Sequence, residues 1–218
     1  MELHQIESNL ASPNPQNRMK AMVELRNHAP EVVVPLLKQR MHDREFIVRS
    51  FVAMGLGNKQ TEEGFAALLD LIACDSDANV VAEAANSLAK FGDAAVPHLV
   101  QLFERNSHWL VRQSILAALE GVGPEILMQL CRWGWEGEDL VVQGNAIAML
   151  GQLCGTPQET LALAILLEAA TAEADMIRAQ AARTLKEFDQ HPQAQAALAT
   201  LRQDTNLRVV GATFESLV

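Results

Sequence analysis

One short pattern returns seven times along the chain: a position that is most often Arg, followed seven residues later by Leu. The first position reads Arg18, Arg49, Val81, Arg112, Gln143, Arg178 and Val210, and the closing leucines are Leu25, Leu56, Leu88, Leu119, Leu150, Leu185 and Leu217. Successive leucines stand 31, 32, 31, 31, 35 and 32 residues apart. A period that regular describes an array in which each unit buries its apolar face against its neighbours, so no closed central core is expected.

The units are read as helical. Ala and Leu dominate, Tyr is absent, aromatics make up 5% of the chain, and β-branched residues do not form the alternating runs of strands. Because an array grows by addition, 218 residues count repeats rather than separate cores, and one continuous domain, 1–218, is expected. The most apolar stretch, Leu161 to Ala174, is interrupted by Glu168 and Glu173 and is shorter than the roughly 20 residues of a spanning helix, so no membrane insertion is expected. The opening Met-Glu-Leu-His-Gln has no basic and apolar leader, which makes the cytoplasm the expected location. Cys74, Cys131 and Cys154, odd in number and set among apolar helical neighbours, read as buried thiols.

Each repeat resolves into two helices, A then B. Six positions before the Arg slot stand Ser12, Asp43, Asp75, Asn106 and Asp204, with Gly137 and Ala172 as exceptions; the first five read as N-caps of helix B. The positions one before and three, four and seven after the slot share one helical face, as in Val48, Val52, Ala53 and Leu56, or Val111, Ile115, Leu116 and Leu119, and are assigned to the core. In the last copy, Leu207 to Leu217, Val209 and Phe214 are expected inward, with Arg208 and Glu215 outward. Helix A carries Pro35, Pro97 or Pro124 at or near its first turn. The 35-residue spacing is read as one extra turn of helix A over Leu161 to Ala170.

With these residues in view, the chain resembles the HEAT-repeat proteins, most clearly in Phe46-Ile-Val-Arg-Ser-Phe-Val-Ala-Met-Gly-Leu-Gly57 and Trp109-Leu-Val-Arg-Gln-Ser-Ile-Leu-Ala-Ala-Leu119. The resemblance implies an all-α fold, an α-solenoid of about seven helix pairs forming a right-handed superhelix with the B helices on its concave side. It also implies that the Arg forms a ladder with the acidic turn residue of a neighbouring repeat, pairing Arg49, Arg112 and Arg178 with residues such as Asp43 and Asp75, and lapsing at Val81, Gln143 and Val210. The short period, the early Pro and the Leu-Gly pairs at 56–57 and 150–151 are similar to the phycobilisome-lyase-like subclass, which includes cyanobacterial bilin lyase subunits and NblB-type phycobilisome degradation proteins.

The residues give no catalytic set and no metal site. Deoxyhypusine hydroxylases, another HEAT-repeat family, bind two irons through His-Glu dipeptides, and here the six histidines precede Gln5, Ala29, Asp43, Leu99, Trp109 and Pro192. With 17 Lys and Arg against 27 Asp and Glu, a net charge of -10, the composition argues against nucleic acid, including the duplex held by HEAT-like alkylpurine glycosylases.

A protein-binding surface remains. Positions two after the Arg slot, Lys20, Phe51, Glu83, Ser114 and Asn145, and five after it, Val23, Met54, Asn86, Ala117 and Ala148, point away from the core. Phe51 and Met54 read as an apolar anchor within a polar rim, the competing reading being that Phe51 tucks against its own helix A. Trp133 and Trp135 are placed in the turn between helices A and B of the fifth repeat, as further contact residues at the rim. Trp109 is expected to be buried as a staple, Trp135 less so. The expected function is a non-catalytic adaptor or chaperone-like factor that grips a protein partner, a phycobiliprotein if the subclass resemblance holds, with no cofactor. The alternative is a bilin lyase or chromophore-detaching factor, with bilin as its substrate.

Overall fold

The computed structural model describes residues 2–215. Among them are fourteen α-helices and no strand, grouped in two compact units that meet in sequence at Ala118 and Leu119. The first unit holds α1 (Leu3–Leu10), α2 (Pro15–Leu25), α3 (Pro30–Lys38), α4 (Phe46–Lys59), α5 (Glu62–Cys74), α6 (Ala78–Ala89), α7 (Val96–Arg105) and α8 (Trp109–Ala118). The second holds α9 (Pro124–Trp135), α10 (Leu140–Met149), α11 (Glu159–Ala169), α12 (Asp175–Thr184), α13 (Pro192–Leu201) and α14 (Leu207–Phe214). Odd-numbered helices are the A helices and even-numbered ones the B helices. Each pairs with its partner, and the B helices also pack on one another, α2 on α4, α4 on α6 and α6 on α8 in the first unit, α10 on α12 and α12 on α14 in the second.

The core follows the repeated helical face. Val48, Val52, Ala53, Leu56, Val111, Ile115, Leu116 and Leu119 are all buried. The last copy departs from it: Val209 is buried, but Phe214 is 68% exposed with the Arg202 guanidinium 5.8 Å from its ring centroid. Phe214 is the last residue of α14. Glu215 is exposed, as expected, and pairs with Arg183 (Nε to Oε2, 2.6 Å). Leu217 lies outside the described residues.

The B-helix caps stand two residues later than the sequence suggests. Asn14, Asp77, Asp139 and Asn206 occupy the N-cap and accept from amides of the first turn. The residue six before the Arg slot lies two residues outside the cap, where the side chains of Ser12, Asp43, Asp75, Asn106 and Asp204 accept from the amide two residues on, closing a side-chain turn that aims the chain into the helix.

This geometry frees the acid for a second role. Arg18 donates to Asp43 (2.7 Å), Arg49 to Asp75 (2.6 Å) and Arg178 to Asp204 (2.7 Å), each in the next repeat. Each Arg also donates to the carbonyl of its own turn, Ser12, Asp43 or Ala172. The pairing lapses at Val81 and Gln143 as expected, though Gln143 keeps the turn contact through Gly137 O at 2.7 Å. Arg112 has no such partner either: the matching slot of the next repeat is Gly137, and its guanidinium holds Asn106 O and lies 5.1 Å from the Phe103 ring centroid.

Three further expectations are corrected. Pro35 lies inside α3, where Pro30 takes the first-turn position. Helix α11 has 11 residues against 13 in α5, so the long spacing does not come from an extra turn of helix A. It arises in the connection Leu150–Gln158, a 3-10 turn followed by Gly155 at φ 73°, a left-handed conformation that suits glycine. Trp109 is 43% exposed and stacks on His108, while Trp135 is half-buried against the core of the second unit. As the first residue of α8, Trp109 points back past the helix start, away from the hairpin. Phe46, Leu140 and Leu207 in the same slot are exposed too.

Two glycines set helix spacing. A Cβ on Gly57 of α4 would lie 2.5 Å from Ser87 Cβ and 2.8 Å from its Cα, so α4 and α6 touch backbone to backbone. A Cβ on Gly134 would meet that of Ala146 at 2.8 Å, fixing α9 on α10.

Candidate partner-binding site

The outward positions of α2, α4, α6 and α8 carry the residues singled out in the sequence. Lys20 and Met54 are exposed, and Phe51, Glu83 and Ser114 are half-buried. Val23, exposed at 44%, lies beside Met54, exposed at 39%, so the apolar character gathers on α2 and α4. Asn145, half-buried on α10, belongs to the second unit.

Between α2 and α4 the surface opens into a depression of about 210 Å³ whose walls include Met22, Val23, Phe51 and Met54. Val33 and Leu37 of α3 also line it. Gly55 permits that approach, since a Cβ there would lie 2.6 Å from Leu37 Cδ1. The depression exists because the B helices are unevenly spaced. The Gly57–Ser87 contact draws α4 onto α6, whereas α2 and α4 meet along less of their length. Phe51 is half-buried and borders the opening.

The polar rim is cationic. Arg26, Asn58 and Lys59 complete the lining, which contains no carboxylate. Lys59 Nζ donates to the carbonyls of Arg26 (2.8 Å) and His28 (2.6 Å), capping the end of α2 where the helix dipole favours a cation. On α6, burial pushes the Glu83 carboxyl above the usual glutamate range, against a Ser87 hydrogen bond and the charge of Lys90. Sequence reasoning did not reach Arg26, Lys59, Met22 or Leu37, because the walls come from different repeats and two of those residues also serve the core.

The other depressions differ in kind. One of about 640 Å³ at the turn end of the first unit is lined by Lys38, His42, Asp70 and Cys74 together with ladder residues; Arg49 and Asp75 there are paired, as is Lys38 with Glu63. In the second unit, Trp133 borders a depression of about 510 Å³ with Met128, Leu161 and Ile165. Trp133 and Trp135 therefore lie in the last turn of helix A, α9, and not in the turn after it. Cys131 is buried, and its burial pushes the thiol up to about 12; Cys74 is exposed and Cys154 half-buried, which corrects the reading of three buried thiols. No group of three or more His, Cys, Asp or Glu able to hold a metal occurs among the described residues, and none of their helices is long and apolar enough to cross a membrane.

A family model for HEAT repeats matches residues 33–120 and 127–218. The chain belongs to the HEAT-repeat family. This HEAT-repeat protein is similar in structure to the complex of CpcE and CpcF of phycocyanin lyase from Nostoc sp. PCC7120, at 19% identity and TM-score 0.55, over 98% of this chain and 94% of that one. It is also similar to YibA of Escherichia coli, at 15% identity and TM-score 0.68 over 97% and 80% of the two chains. A TOG domain of Drosophila melanogaster Mini spindles shares 15% identity and TM-score 0.52 over 88% and 95%. No curated protein matches the HEAT-repeat chain significantly in sequence.

Proposed function

We propose that the protein is a non-catalytic HEAT-repeat adaptor or chaperone-like factor that holds a protein partner on the face formed by its B helices. The observation that carries this reading is the depression between α2 and α4, where Val23 and Met54 stay exposed beside half-buried Phe51. At about 210 Å³ it is smaller than the roughly 300–1,000 Å³ of small-molecule sites and suits a side chain inserted from a partner surface. Buried anchors of this kind commonly carry 2 kcal/mol or more of binding, roughly thirtyfold in affinity. Lys20, Glu83 and Ser114 are proposed as the polar continuation of the contact within the first unit, and Asn145, Trp133 and Trp135 as contact residues of the second unit. Affinity capture with the full chain and with Phe51→Ala/Met54→Ala tests the reading. The partner retained by the first should be lost with the second while helical circular dichroism is preserved. Equal capture by both chains would count against the α2–α4 depression.

A second reading, bilin lyase or chromophore detachment acting on phycobiliproteins, is favoured by the likeness to the phycocyanin lyase complex. Visible absorption of a phycobiliprotein incubated with the protein separates the two readings: an adaptor leaves the attached chromophore unchanged, and a lyase or detaching factor alters its spectrum.

A further inference from the structure

We infer that the occupant of the α2–α4 depression is an acidic protein segment, a large apolar side chain flanked by Asp or Glu. This rests on the adaptor reading and adds the partner's chemistry to it.

The argument is electrostatic and local. The chain as a whole carries 27 acidic residues against 17 basic ones, yet the depression is bordered by Arg26 and Lys59 and by no carboxylate. Lys59 is held in place by two carbonyls at the end of α2, so its ammonium is a fixed charge at the opening. Arg26 is exposed, and Lys20 is exposed on the outward face of the same helix. The apolar walls desolvate whatever enters, and the cations at the edge favour a partner whose own edge is negative. A second copy of this chain, at net charge -10, meets general repulsion. A nucleic acid needs a longer track of cations than the two that border this apolar floor.

Three fluorescein-labelled peptides serve as probes against the full chain: a Leu-Phe pair flanked by Glu, the same pair flanked by Lys, and Ala-Ala flanked by Glu. The Glu-flanked Leu-Phe peptide should bind, with affinity falling as salt is raised, and the other two should not. Met54→Asp should weaken that binding about thirtyfold, the scale of a lost apolar anchor. Arg26→Gln, which leaves the Lys59 cap untouched, should weaken it by about threefold and flatten the salt dependence, as expected for a rim charge. Equal binding of the Glu- and Lys-flanked peptides, both lost in Met54→Asp, would overturn the acidic partner while sparing the adaptor reading. Absence of binding by all three, or binding indifferent to Met54→Asp, would remove the depression as a site and with it both readings. A dimer seen in sedimentation velocity and dissociated by Met54→Asp would assign the depression to a second copy and overturn the inference.

Discussion

The guanidinium of Arg49 meets the carboxylate of Asp75 in two hydrogen bonds, Nε to Oδ2 at 2.6 Å and Nη2 to Oδ1 at 2.9 Å, joining one repeat to the next. Burial pushes the Asp75 carboxyl up, but Arg49 and the amides of Asp77 and Ser76 outweigh it, and the group is held below the usual aspartate value. Its stabilisation is therefore complete above the unfolded value of about 3.9 and is lost as pH falls through the lower folded value. Asp75→Asn should cost about 1.5–3 kcal/mol at pH 7. Urea melts at pH 7 and pH 3 should show that difference shrinking in acid. A constant difference would mean the two bonds contribute nothing that depends on charge.

Glu83 should behave in the opposite sense. Its folded carboxyl is raised, chiefly by burial, so the ionised form is disfavoured in the folded state. That penalty is absent below the unfolded value of about 4.3 and is fully present above the folded one. Glu83→Gln should raise Tm at pH 7, with the gain vanishing toward pH 3.5. A lower Tm at pH 7 would show that Ser87 and Lys90 outweigh burial.

Gly57→Ala should destabilise by about 1–3 kcal/mol through overpacking, because the new methyl meets Ser87 Cβ and backbone together. Leu116→Ala, at a side chain 1% exposed, should cost about 2–5 kcal/mol by leaving a cavity. Values of a few tenths in denaturant melts would mean that the repeat register is misassigned.

Much of the repeat frame can be read from the sequence because a buried helical face recurs with the period. Val48, Val52, Ala53 and Leu56 announce one another, whereas the pairing of acids with arginines enters only through the HEAT-repeat resemblance. Features that depend on a neighbouring repeat cannot be read this way. Asp75 looks like a cap until the helix is seen to start two residues later. Phe214 looks like core until it is seen to be the exposed last residue of its helix, and Trp109 and Trp135 exchange places because one begins a helix and the other ends one. The same limit applies to the candidate site. Met54 is visible as an outward apolar residue, but Val33, Leu37 and Arg26 join it only through the packing of three helices.

The cysteines offer a check on burial. Cys74 should react first with a thiol reagent at pH 8, and Cys154 more slowly, its thiol raised chiefly by burial and also by the charge of Glu159. Cys131, pushed up to about 12, should react only on unfolding. Prompt labelling of two thiols at equal rates would contradict the placement of Cys154.

The backbone contact between Gly57 and Ser87 divides labour along the row of B helices. One gap is closed so tightly that a single methyl disturbs it, while the gap on the other side of α4 stays open. Side chains on the outer wall of α2 are thus free to change shape and charge without loosening the seam that holds α4 and α6 together.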